Sequence, residues 1–385
     1  MEKKGRIGIP SALMFYRYAP FWRTFFESLG WEVLVSRDVG KKGKIVYFED
    51  SCLPMKLLVT HATSLAGEVD HLFVPRLVSL HPKHILCPKF RGAPDIVRLA
   101  IDRKVSILDE TVDLRTRKHS YRNAFSKTGE RLNASVKEMD SAFSKAERSY
   151  SSFQGQWVDR INRLPTKDLF RMEVPTPAIP KTPLPDGPSL RVAFIGHPYN
   201  LFDTDISKDI IGLAKRLGMR ILTSELLSEK AIEAELSDLS KEIYWSSGRE
   251  IVGALFHFLS GGADGVVFVT SFKCGIDALL QEFVKRMLRI KGESHAPFLV
   301  LSFDEHTGRE GLTTRLEAFK DVIEERKRQT PNNKNPIPNK PQGPKSKISN
   351  TWLIAVVYFL GIRILEIIWD LGFLNSAFRI SHSEF

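Results

Sequence analysis

The sequence predicts an α/β fold: two Rossmann-like domains with parallel sheets facing a central cleft, a helical segment between them, and a C-terminal tail helix. Three observations lead to it. Short apolar runs of strand length alternate with amphipathic helical stretches over residues 5–110, and the alternation resumes from residue 190. A proline-rich connector, "LPTKDLFRMEVPTPAIPKTPLPDGP", separates the two series. The chain has 385 residues, enough for two domains that each bury a core.

Taken in order, "RIGIPS" reads as a strand and "FYRYAPFWRTFFESLG" as an amphipathic helix. Pro20 kinks or restarts this helix, and Gly30 closes it, because glycine tolerates the left-handed conformation at a helix end. "WEVLVS" and "KIVYFE" follow as strands and "PMKLLVTHATSLAG" as a helix. "HLFVPRL", "HILCP", the helix "APDIVRLAIDR" and the strand "KVSILDE" complete a first domain over residues 1–112. Residues 113–163 lose the strand pattern and form a charged helical excursion, and residues 164–189 are the connector. The second domain, residues 190–328, opens with the strand "RVAFIGH" and the helix "DISKDIIGLAKRLG", closed by Gly218. It continues through the strand "MRILTSE", the helix "EIYWSSGREIVGALFHFLSGG" and the strand "GVVFVTSF". The helix "IDALLQEFVKRMLR", the strand "PFLVLSF" and the helix "GLTTRLEAFKDVIEERKR" end it.

Residues 329–350 are polar and rich in Pro, Asn and Lys, a disordered linker. The tail over 351–385 is apolar and amphipathic. Its uncharged run stops at Arg363, short of the roughly 18–20 residues that a spanning helix needs, and Glu366 and Asp370 share a face with that arginine. Three readings stay open: a helix docked on this protein or on a partner, a helix lying on a membrane surface, and, at a cost, a tilted span.

Composition narrows the classes. With 43% hydrophobic and 26% charged residues the chain reads as globular, and a net charge of +11 favours an anionic partner such as a phosphorylated cofactor. No stripe of basic residues interleaved with aromatics appears, which argues against nucleic acid. "MEKKGRIGIP" has no apolar signal region, so the expected location is cytoplasmic, with membrane association only through the tail. Three cysteines in such a chain make a disulfide framework improbable.

Each cysteine falls where a strand hands over to a loop or helix: Cys52 before Pro54, Cys87 before Pro88, and Cys274 before Ile276. In an open parallel sheet that edge binds ligands, and helix N-termini there favour thiolate over thiol. The alternative, small buried apolar residues, stays open at this point, because no C-x-x-C spacing marks a ferredoxin or zinc ribbon. In "GHPYN", His197 and Tyr199 are candidate proton donors with Asp203 to orient one of them, or they form a capped turn. In "DEHTG", Asp304, Glu305 and His306 either bind a metal or cap the next helix, beside an Arg315–Glu317 pair. Glu49 and Asp50 adjoin Cys52 as proton donors or surface residues.

Several of these segments carry a family resemblance. "IGIPSALMFYRYAPFWRTFFESLGWEVLVS", "CLPMK", "HLFVPRL" and "CPKF" resemble the N-terminal half of a 2-hydroxyacyl-CoA dehydratase-related family. "FIGHPYNLFDTDIS", "IYWSSGREIVGA", "DGVVFVTSFKCGIDALLQEFVKR" and "LVLSFDEHTGREGLTTRLEAF" resemble its acyl-CoA dehydratase activase-related branch. The resemblance covers residues 5–100 and 190–327. It implies a [4Fe-4S] cluster held by Cys52, Cys87 and Cys274, with one iron open. It implies reductive radical chemistry on an acyl-CoA thioester, with electrons from a separate ATP-dependent activase or through a second subunit of similar fold. No phosphate-binding loop of the activase type is present. "KCGIDA" stands where the resemblance leads one to expect "GCGPDS", which alters the loop and puts Lys273 beside the cysteine. A non-catalytic cluster-holding electron-transfer subunit is the alternative function, and a cluster-free nucleotide-type binding module is the third.

Overall fold

A computed structural model of the chain describes residues 3–36, 39, 51–101, 105–171, 190–239, 241–291 and 296–329. The strand "KIVYFE" with Glu49 and Asp50, most of the proline-rich connector, the linker from residue 330 and the tail lie outside the described residues.

The first half is built from β1 (Arg6–Ile9), α1 (Phe15–Ser28), β2 (Glu32–Val35), α2 (Leu53–Leu65), β3 (His71–Phe73), β4 (Arg76–Ser79), α3 (Pro88–Ala100), β5 (Ser106–Leu108) and β6 (Thr111–Asp113). Its main sheet runs β2-β1-β3-β5 and every pairing in it is parallel. "HLFVPRL" is not one strand: Val74 and Pro75 separate β3 from β4, which pairs with β6 in a second, two-stranded sheet. "HIL" contributes only a bridge between Ile85 and Trp245.

Pro20 sits inside α1 without ending it. The face that α1 turns inward carries Phe15, Phe21, Trp22, Phe25 and Phe26, all buried, and that apolar stripe is what holds the helix in place. Gly30, at φ +87°, closes α1 as the sequence leads one to expect, with Trp31 N–H donating to Phe26 O at 3.1 Å.

The segment after the first sheet folds into α4 (Tyr121–Arg131), α5 (Val136–Gly155) and α6 (Trp157–Arg163). Ser135 starts α5 with a reciprocal cap: its side chain accepts from the Glu138 N–H, and Glu138 reaches back to the Ser135 N–H at 2.7 Å. α4 and α5 lie against α1, with Phe125 and Phe143 stacked edge-on to Phe21.

The second half comprises β7 (Leu190–Gly196), α7 (Pro198–Phe202), α8 (Thr204–Ser207), α9 (Ile210–Arg216), β8 (Met219–Leu222), α10 (Glu229–Leu236), α11 (Ser246–His257), β9 (Gly265–Ser271), α12 (Gly275–Lys291), β10 (Phe298–Phe303) and α13 (Arg309–Gln329). Its sheet, β10-β9-β7-β8, is parallel throughout and repeats the first sheet's order: in each, the first strand lies between the second and the third. The expected helix over "DISKDIIGLAKRLG" is broken. Lys208 and Asp209 both take left-handed backbone (φ +51° and +61°), and the Asp209 side chain starts α9 by accepting from Gly212 N–H. Among the described residues, no helix is long and apolar enough to cross a membrane.

The halves meet along a polar and apolar seam. Arg17 on α1 pairs with Glu250 on α11 at 2.6 Å, and Lys56 on α2 pairs with Glu305 after β10. Lys56 is 5% exposed and Glu305 17%, so removing either partner leaves the other charge largely desolvated. Trp157 donates its indole N–H to Thr223 at 3.0 Å, and Ser246 N–H donates to Ile85 O at 2.9 Å.

Candidate functional site

All three cysteines stand at the starts of helices. Cys52 is the N-cap of α2 and Cys87 the N-cap of α3, each with a proline in the first turn, where the missing N–H costs no helical bond. Cys274 immediately precedes α12. Lys273 before it has φ +63°, a conformation that suits the glycine of the expected "GCGPDS" and costs a side chain about 1 kcal/mol. The turn is held by Cys274 N–H donating to Ser271 O at 3.0 Å.

The structure brings the three thiols, two from the first half and one from the second, into electrostatic reach of one another. Burial pushes the Cys87 thiol up, with the charge of Cys52 adding to it, while the Lys89 N–H works the other way. Cys274 is pushed up more strongly, by burial first, then by Asp277, Cys52 and Cys87. At Cys87 and Cys274 this runs against the expectation that helix N-termini favour thiolate, because desolvation and neighbouring negative charge outweigh the N–H donors.

Around them lies a buried polar group. β7 delivers His197 to the sheet edge, and Gly196 before it is required by packing, since a Cβ there would run into the Val269 carbonyl oxygen. His197 Nε2 and Asp277 Oδ1 are 2.9 Å apart, and the residues are 4% and 1% exposed. Burial opposes the imidazolium, but the adjoining Asp277 carboxylate outweighs it and raises the His197 pKa. A ring nitrogen of His197, the Cys274 sulfur and an Asp277 oxygen all lie within 4.8 Å of one another. The Tyr199 ring stacks on that of His197, with centroids 4.9 Å apart and planes 9° apart. Burial holds the Tyr199 phenol well above its usual value, and Cys274, Asp277, Cys52 and Cys87 raise it further. Asn200 accepts from Ser271 Oγ at 2.6 Å beneath the site.

Two assignments from the sequence change. The partner of His197 is Asp277, not Asp203. Asp203 turns the other way, caps α8 through Asp205 N–H at 2.9 Å, and helps line a separate cavity of about 350 Å³ with Ser11, His61 and Lys167. Asp304 is spent on its own turn, accepting from His306 N–H and Thr307 Oγ, both ahead of α13, and His306 is exposed, so Asp304 closes a turn and does not cap that helix. No Arg315–Glu317 ion pair occurs among the described residues, because neighbours two apart on a helix point to different sides. Sequence reasoning missed Asp277 and Lys56–Glu305. The signal for Asp277 was present, an acid in the first turn of the helix that follows a cysteine.

Fold and site define an α/β protein with two four-stranded parallel sheets and a buried, thiol-rich polar centre on the seam between its halves. The family model described as the CoA enzyme activase uncharacterised domain matches residues 6–227, and the chain belongs to that family. Among curated proteins, none matches. A solved structure of the laminin-binding protein of Streptococcus agalactiae is 11% identical, with a TM-score of 0.21, covering 83% of this chain and 99% of that one. A likeness that low carries no argument.

Proposed function

We propose that the chain is a [4Fe-4S] protein resembling 2-hydroxyacyl-CoA dehydratase subunits, with Cys52, Cys87 and Cys274 as its ligands. It would act in an acyl-CoA system with an ATP-dependent activase or a second subunit of similar fold as partner. The observation that carries the reading is the convergence of the chain's three cysteines from three helix starts in both halves. The charge of Cys52 raises the thiol pKa of both Cys87 and Cys274, a repulsion that a shared cationic centre relieves, and the N–H groups of Lys89 and Asp277 are placed to hydrogen-bond those two sulfurs. Membership of a CoA enzyme activase-related family supports the same setting.

When bound, the cluster supplies one-electron reduction of an acyl-CoA thioester. Of the chain's own residues, Tyr199, kept as the neutral phenol beside Cys274, is the one that holds a proton. The cavity shares two helices with the site, since Cys52 starts α2 and His61 lies on it, while His197 and Asp203 flank α7. It offers room for the acyl portion, with the exposed Lys167 at its mouth for an anionic group.

A second reading, a cluster-holding electron-transfer subunit, is favoured by the burial of the site: Cys52, His197, Tyr199 and Asp277 are each at most 9% exposed. Anaerobic chain, mixed with an activase, ATP, a reductant and a panel of 2-hydroxyacyl-CoA thioesters, separates the two. Turnover that stops with Cys274→Ala supports the first. Reduction of the protein without any thioester product supports the second, and a protein that takes up no electrons refutes both.

A further inference from the structure

We propose that His197 is a fourth protein ligand to the group held by Cys52, Cys87 and Cys274, and that Asp277 is the residue that positions it. The inference rests on the cluster reading above and goes beyond it, because that reading leaves one iron open.

Three observations carry it. First, donor atoms of His197, Cys274 and Asp277 already lie within 4.8 Å of one another, although the three residues come from two different strand ends of the sheet. Second, the 2.9 Å contact with Asp277 occupies His197 Nε2, which leaves Nδ1 as the nitrogen with an unspent lone pair. That Nδ1 is buried and has no hydrogen-bond partner among the described residues, and the same holds for Asp277 Oδ2. Buried polar atoms are nearly always satisfied, so an unsatisfied one on each member of a 4%- and 1%-exposed pair points to a missing partner. Third, a carboxylate holding one imidazole nitrogen while the other faces a metal is the usual support of a histidine ligand, fixing tautomer and ring orientation. The stacked Tyr199 ring, 4.9 Å away and nearly parallel, restrains the same imidazole from rotating.

A site closed by three cysteines and a histidine has no vacant position for a substrate oxygen. Whatever accepts the electron then sits outside the coordination sphere, be it a thioester or the redox centre of a partner subunit.

The test uses anaerobic full-length chain carrying 15N-histidine, reduced with dithionite and read by pulsed EPR. The expected result is a nitrogen hyperfine coupling that changes with the isotope and disappears in His197→Ala. Brief ferricyanide treatment gives a second readout. Wild type keeps about four irons per chain and His197→Ala falls to about three, with Asp277→Asn losing iron at an intermediate rate. A wild-type cluster with no histidine nitrogen coupling overturns the assignment while leaving the three-cysteine reading intact. Equal iron loss in wild type and His197→Ala overturns it too. Wild-type chain without iron overturns both readings together.

Discussion

Asp203 gives the sharpest quantitative prediction. Burial, reinforced by Asp205, raises its carboxyl from 3.8 to about 8, so the folded protein holds a neutral acid at pH 7. The unfolded chain ionises near 3.8. A group whose folded pKa is raised contributes stability that is fully present below the unfolded value and is lost as pH rises through the folded one. The window is therefore about pH 4 to 8, and at about 1.4 kcal/mol per pH unit the loss reaches about 4 kcal/mol by pH 7. Asp203→Asn removes the titration and keeps an acceptor for Asp205 N–H, which Oδ1 now holds at 2.9 Å. Urea unfolding of both proteins at pH 4, 5.5, 7 and 8.5 reads the difference. The variant should match wild type at pH 4 and exceed it by about 4 kcal/mol at pH 7. Two stability curves that run parallel across the range would refute the claim that this carboxyl is buried and neutral.

Other expectations follow from the same physics. His61, whose pKa burial lowers to about 4, works in the opposite sense: its contribution is present above 6.5 and lost as pH falls through 4. His61→Gln should therefore be less acid-sensitive than wild type by about 2.5 kcal/mol between pH 7 and 4.5, and an unchanged pH slope contradicts it. Lys273→Gly relieves a left-handed backbone at φ +63° and should stabilise by about 0.5–1 kcal/mol, after allowing for the freedom of glycine in the unfolded chain. A loss of stability in thermal unfolding shows instead that the lysine side chain matters more than its backbone. Phe125 is 2% exposed and meets the rings of Phe21, Phe25, Phe26, Phe73, Tyr121 and Phe143. Phe125→Ala should cost about 4 kcal/mol, and a cost under about 1 kcal/mol would remove this cluster from the core that fastens the helical segment to α1.

Much of the architecture was legible because periodicity reports one-sided burial. The aromatic stripe of α1, the apolar β7 and β9, and the closing glycines Gly30 and Gly218 all sit where the pattern places them. The misses have local causes. The break at Lys208–Asp209 is set by two left-handed residues that are not glycines, and an amphipathic pattern runs through it without a gap. The strand expected at "HIL" shrinks to a single bridge because its partner, Trp245, comes from the other half of the chain.

The same distinction governs the site. The strand-to-helix placement of Cys52, Cys87 and Cys274 was readable locally, but their mutual approach depends on how two halves dock. His197 was visible in "GHPYN". Its partner was not, because Asp277 lies 80 positions away and meets it only where β7 and β9 run side by side. Asp203, six residues from His197, was the nearer acid in sequence and the wrong one, since it caps α8 and lines the cavity instead.

The central claim is that three cysteines from both halves hold one iron–sulfur cluster, and its most direct test is iron and acid-labile sulfide per chain after anaerobic purification. The account predicts about four of each in wild type and their loss in Cys274→Ala, with the variant still folded. Wild-type protein that binds no iron, or Cys274→Ala that keeps it all, contradicts the account.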